Sequence, residues 1–197
     1  MYFSDGWYET SKGFALMNFA RTAFVLFKEV EDEILEDCKI NGCKINKSFE
    51  YILDDNEFEE VATFETEYGT LVNAINLIGM KRELSDVGNY IWNIYLIPEE
   101  DGCSFSSELY ENLTNAYPVK FYGSGKEHSR LSFSPKLLIE CLEGSEFQDE
   151  TPIKIQLRKY ITTFTNNNMW ILRIIFKESE YNEEYFEMFI CGMSDDE

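Results

Sequence analysis

Hydrophobic positions in the first third of the chain recur at helical spacing. Leu16, Ala20, Ala23, Phe27, Val30 and Ile34 step alternately by four and three, with Met17 and Phe24 widening the stripe. The spacing predicts a helix over about 14–37. Lys39 and then Asn41-Gly42 supply its stop. Asn41-Gly42, between Lys39-Ile40 and Cys43-Lys44-Ile45, fits a tight hairpin equally well. Residues 49–66 mix Phe49, Tyr51, Phe58 and Phe64 with many acids, and neither period prevails. Leu71, Ala74, Ile75 and Ile78 then predict a second helix from Thr70 to about Leu84.

Strand patterns dominate the rest. Asn89–Ile97 is apolar on both faces and bounded by Pro98, as a central strand is. A short helix is expected around Ser106–Asn115. Val119–Tyr122 and Ser129–Phe133, around Gly123-Ser124-Gly125, suggest a hairpin. Ser134-Pro135 reads as the start of a helix reaching Leu142 and stopping near Gly144. Ile153, Ile155, Leu157, Lys159 and Ile161 alternate with polar or aromatic neighbours, Asn166–Asn168 make a turn, and Met169–Lys177 is the next strand. Glu184–Gly192 fits both periods, with strand favoured as the end of a meander. The expected class is α+β. It would be a single domain over 1–197, with a mostly antiparallel sheet of about five or six strands and two to four helices packed on it. The N-terminal half reads as more helical and 116–192 as more strand-rich.

Composition adds size and charge. A chain of 197 residues with 16 Phe, 12 Tyr and 3 Trp has ample core and no disordered or collagen-like character. Its 37 acids against 17 bases leave a net charge of −20, which argues against direct nucleic-acid binding. Small domains need magnitudes of only ~2–8 for solubility. The acids cluster. Glu29, Asp32, Glu33 and Glu36 share one face of the expected first helix. Asp54, Asp55, Glu57, Glu59 and Glu60 surround Phe58. Glu178, Glu180, Glu183, Glu184 and Glu187 interleave with Tyr181, Tyr185 and Phe186. Two readings compete. The acids can be a solvated face, neutralised in part by Lys154, Arg158, Arg173 and Lys177 of the same sheet. Alternatively they form a negative template for a basic partner, with aromatic side chains as desolvated anchors.

No motif specifies chemistry. Gly123-Ser124-Gly125-Lys126-Glu127 has Glu where a phosphate loop needs Ser or Thr, and a misplaced first glycine, so a turn is the better account. His128 is the sole histidine, and no GxSxG nucleophile elbow is present. Cys38, Cys43, Cys103, Cys141 and Cys191 include no CxxC pair, so neither zinc nor another metal is expected. Asp54-Asp55-Asn56-Glu57 lacks the glycine and spacing of a calcium loop. The N-terminal stretch is not a secretory signal and no run suits a membrane span, which points to a cytoplasmic protein with reduced thiols.

The expectation is therefore an acidic, non-enzymatic binding protein without cofactors. It would inhibit a basic partner such as a nuclease or nucleic-acid-binding complex, as a toxin-immunity protein or a phage anti-defence inhibitor, with nucleic-acid mimicry as one route. Its contact residues would be Glu29, Asp32, Glu33 and Glu36, and Asp54, Asp55, Glu57, Glu59 and Glu60. A subunit that buries exposed aromatics in an oligomer, and an enzyme built around His128, are the alternatives.

Overall fold

The computed structural model describes residues 7–17, 23–28, 30–37, 51–83, 94–107, 119–126, 131–133, 138, 142, 147–161, 169–177 and 184–194. The strands are β1 (Tyr8–Thr10), β2 (Gly13–Met17), β3 (Ala23–Phe27), β4 (Phe58–Glu67), β5 (Ile94–Glu99) and β6 (Gly102–Ser107), then β7 (Val119–Gly125), β8 (Leu131–Phe133), β9 (Pro152–Tyr160), β10 (Met169–Lys177) and β11 (Glu184–Ser194). The helices are α1 (Asp32–Asp37) and α2 (Tyr68–Glu83). All eleven strands join one sheet in the order β1-β2-β3-β11-β10-β9-β4-β7-β6-β5-β8. β8 also pairs with β11, through Met193 opposite Ser132 and Ser194 opposite Leu131. Eight strands, β11 round to β8, thus hydrogen-bond in a closed circuit. An even number lets every pair be antiparallel, and closure removes the sheet edges inside the circuit.

This corrects the expected class. Among the described residues the protein is mostly one large antiparallel sheet with a single long helix, not a sheet of five or six strands carrying two to four helices. The expected helix over 14–37 is β2, β3 and the short α1. The cause is burial on two sides. Ala23 and Val25 pack into one core cluster, while Phe24 and Leu26 pack into another. With both faces apolar, no alternation shows. Phe24 stacks on Phe189 of β11 at 4.4 Å, a tertiary contact that overrides helix propensity.

Other expectations fare better. α2 forms where the second helix was placed, with Leu71, Ala74 and Ile75 buried along one side. β9, β10 and β11 form the expected meander, and β5 covers the end of the expected central strand. The stretch 49–66 becomes two 3-10 turns, 51–53 and Asp55–Glu57, followed by β4. Ser106 and Ser107 belong to β6 rather than to a helix. β7 and β8 do not form a hairpin: β7 pairs with β4 and β6, and β8 with β5 and β11. The Asn41-Gly42 turn, the start at Ser134-Pro135 and the Asn166–Asn168 turn lie outside the described residues; Leu138 and Leu142 are helical and buried.

The larger cluster lies on one face of the strands. It takes Ile153, Ile155 and Leu157 of β9, Trp170, Leu172, Ile174 and Phe176 of β10, and Met188 and Ile190 of β11, with α2 on the same side. The opposite face carries Tyr8, Phe24, Leu26, Ile52, Leu53, Phe58, Ile171 and Phe189. On β11 the hydrogen-bonding partner changes from β3, along Phe186–Ile190, to β8 at Met193–Ser194. Gly192 sits at the change, where a Cβ would stand 2.4 Å from the buried Phe133 ring. We expect Gly192→Ala to destabilise by roughly 1–3 kcal/mol, as overpacking does. Phe133→Leu in the same chain should restore part of that loss. Urea midpoints of the two single variants and the double variant test the coupling.

Candidate functional site

The second face of β4, β9, β10 and β11 carries the chemistry. Even-numbered residues of β9 and odd-numbered residues of β10 point to it, so Gln156, Arg158 and Arg173 fall together in the pairing register. Arg173, opposite Gln156 and Phe189, is 9% exposed, and Glu187 is 2% exposed. Arg173 Nε donates to Glu187 Oε2 at 2.8 Å, and its Nη1 donates to Gln156 Oε1 at 3.1 Å. Gln156 in turn donates to Glu60. A charge buried this deeply needs such partners, because removal from water costs several kcal/mol per ion.

A 3-10 turn stands over this network. Asp54 shapes it by accepting from the Asn56 backbone amide and side-chain amide, each at 2.9 Å. Asp55 then reaches the sheet. Its Oδ1 accepts from Arg158 Nη2 at 2.9 Å and Arg173 Nη1 at 3.4 Å, and its Oδ2 from Lys12 Nζ at 3.3 Å. The Arg158 guanidinium lies 4.7 Å from the centre of the Phe58 ring. Burial alone would raise Asp55, but Arg173, then Lys12 and Arg158, outweigh it and hold its carboxyl below the usual range. Burial, then the neighbouring Arg173, pulls Arg158 below its usual value. Beside the turn runs an open groove of about 550 Å³, lined by Ser11, Lys12, Tyr51, Leu53 and Asp54–Glu57.

Further pairs flank the network. Lys177 donates to Glu65 at 2.6 Å, Lys126 to Glu59, and Lys120 to Glu99 at 2.6 Å, where Ser104 also donates. The hydrogen bond from Lys177 lowers Glu65, and those from Lys120 and Ser104 lower Glu99.

The expected contact residues separate into two groups. Asp32, Glu33 and Glu36 are exposed on α1, and none has an ion pair with another described residue. Glu29 lies outside the described residues. Asp54, Asp55, Glu59 and Glu60 are engaged within the chain as above, and half-buried Glu57 lines the groove. No hydrogen bond or ion pair among the described residues joins the two groups. Of the third cluster, Glu187 is the buried partner of Arg173; Glu178, Glu180 and Glu183 lie outside the described residues. The Arg173–Glu187 pair escaped the sequence reading, although a signal existed: one cation inside MWILRIIF and one acid inside YFEMFI, each enclosed by apolar residues.

The discounted motifs sort differently. Gly123 and Gly125 belong to β7, not to a turn; a Cβ on either would stand 2.2 Å from a neighbouring carbonyl oxygen, of Thr63 or Glu99. That close approach accounts for the glycines without a phosphate. Cys103 is buried, which pushes its thiol upward and leaves it unreactive. His128, Cys38, Cys43 and Cys141 lie outside the described residues, among which no His/Cys/Asp/Glu group could hold a metal. No described helix is long and apolar enough to cross a membrane. Comparison with protein families, curated proteins and solved structures finds no match to this chain.

Two outcomes follow from the network. Glu187→Gln should cost about 3–5 kcal/mol by removing the buried anion from Arg173, which keeps Gln156 and the more distant Asp55, whereas Arg173→Met with Glu187→Leu should cost less than either single change. Chemical denaturation of the single and double variants checks this. Acid should also destabilise the fold. Asp55, Glu65 and Glu99 titrate lower folded than unfolded, where carboxyls titrate near about 4. Their contribution is present above about pH 5 and is lost as pH falls through the folded values. Urea midpoints between about pH 3 and 7 should fall on the acid side, less steeply in Asp55→Asn combined with Glu99→Gln.

Proposed function

We propose that the chain is a non-enzymatic binding protein that docks a basic, nucleic-acid-handling partner and inhibits it, acting in the cytoplasm. The α1 carboxylates Asp32, Glu33 and Glu36 are its contact face. One observation carries this reading: six described cations pair with carboxylates of the same chain, while these acids pair with no described residue. Lys12, Lys120, Lys126, Arg158, Arg173 and Lys177 each pair with a carboxylate of the same chain. The charge left facing outward from α1 is anionic. A patch of one sign steers an oppositely charged macromolecule and speeds its association. Toxin immunity and viral anti-defence are the settings in which such a partner, a nuclease above all, is neutralised by a small acidic protein.

The test is affinity capture from the native host and its neighbours, eluting with rising salt. A basic nuclease or nucleic-acid-binding protein should be retained at low salt and released as salt increases. Against that purified partner, the triple variant Asp32→Lys, Glu33→Lys and Glu36→Lys should bind about tenfold or more weakly, with its melting temperature nearly unchanged. Undiminished affinity in the triple variant overturns the reading.

A further inference from the structure

Arg158 and Arg173, 4% and 9% exposed, stand on neighbouring strands of one sheet face. Glu187 neutralises Arg173 from within the sheet. The anion paired with Arg158 arrives from outside it. Asp55 belongs to the 3-10 turn, and its side chain is 61% exposed, against 5% for Arg158. Its carboxylate gathers Arg158, Arg173 and Lys12 at 2.9, 3.4 and 3.3 Å. The other terminal nitrogen of Arg158, Nη1, is buried and has no hydrogen-bond partner. One edge of a buried guanidinium is therefore only half used, where a fork of two donors suits a carboxylate or phosphate. The groove of about 550 Å³ lies alongside, with Asp55, Lys12 and Ser11 in its wall.

We propose that Arg158, Arg173 and Lys12 form an oxyanion-binding site that Asp55 occupies in cis, and that a carboxylate or phosphate group entering from the groove displaces it. The two arginines are fixed by the sheet, while Lys12 and the resident anion sit on exposed turns. Asp55 is the exposed member of its pair with Arg158, and an arriving oxyanion neutralises the same buried charges. Asp54 and Glu57 on the groove wall, and Glu60 nearby on β4, oppose anions, and oppose a polyanion more than a single compact group. Cis occupancy lowers the apparent affinity by the fraction of time the site is open. The inference stands apart from docking on α1, since it uses neither Asp32, Glu33 nor Glu36 and needs no basic partner.

The test follows the Arg158 and Arg173 Nε–Hε resonances of the isotope-labelled full chain. Inorganic phosphate, acetate and sodium chloride are titrated at matched ionic strength. Phosphate or acetate should give saturable shifts and chloride none, and the arm that saturates lower names the oxyanion. Asp55→Asn should lower the apparent Kd for that anion about tenfold or more, because its competitor is gone. Glu99→Gln, a remote pair, should leave the Kd unchanged. Should Asp55→Asn lose its fold without added anion, phosphate or acetate should restore its melting transition where chloride does not. Equal response to chloride, no tighter binding in Asp55→Asn, or an unfolded variant that neither oxyanion rescues overturns the inference.

Discussion

Two charges inside the fold, Arg173 and Glu187, constrain everything laid against them. Each lies among apolar neighbours on a central strand, and each would cost several kcal/mol alone. Their hydrogen bond requires β10 and β11 to hold one register. A slip of one residue between them would turn one of the two onto the opposite face, into the apolar cluster with Trp170 and Met188, and split the pair. Apolar packing tolerates small shifts, but an ion pair of this kind does not. Register of the central strands is therefore set by polar atoms as well as by volume, and Gln156 and Glu60 extend that restraint to β9 and β4.

The same network explains how a chain with net charge −20 stays compact. Self-repulsion is relieved locally, because cations on the sheet meet acids in pairs rather than floating in a general field. Acids that remain outward among the described residues include those on α1, and also Glu9, Glu67, Glu100, Asp101, Asp149 and Glu150. Internal neutralisation and an anionic exterior are thus two results of one distribution: bases concentrated in the strands 152–177, acids in excess elsewhere.

Legibility followed the number of environments each element faces. β9 carries apolar residues on one face and mostly polar ones on the other although both faces are buried at its centre, and α2 has one buried side, so a single period described each. β3 failed for a definite reason. A step of four residues, as from Ala23 to Phe27, keeps both side chains on one side in a helix and in a strand alike, since four is a multiple of two. Only steps of three discriminate, and one of these, Ala20 to Ala23, begins outside the described residues. Strand count failed because closure is non-local: nothing near Leu131–Phe133 announces a partner at Met193–Ser194. Among the site residues, clustered acids were visible in the sequence, but which of them meet cations depended on strand register.

The forked pairing of β11 has a consequence for the order of assembly. β3 pairs with β11 and β2, and β10 and β8 also depend on β11 for a neighbour. Early strands therefore wait, with apolar sides on both faces, until a distant segment has been synthesised. Contacts so far apart in the chain slow folding and lengthen the exposure of sticky intermediates. A ribosome-bound nascent chain lacking β11 should accordingly be a strong client for chaperones that hold extended apolar segments.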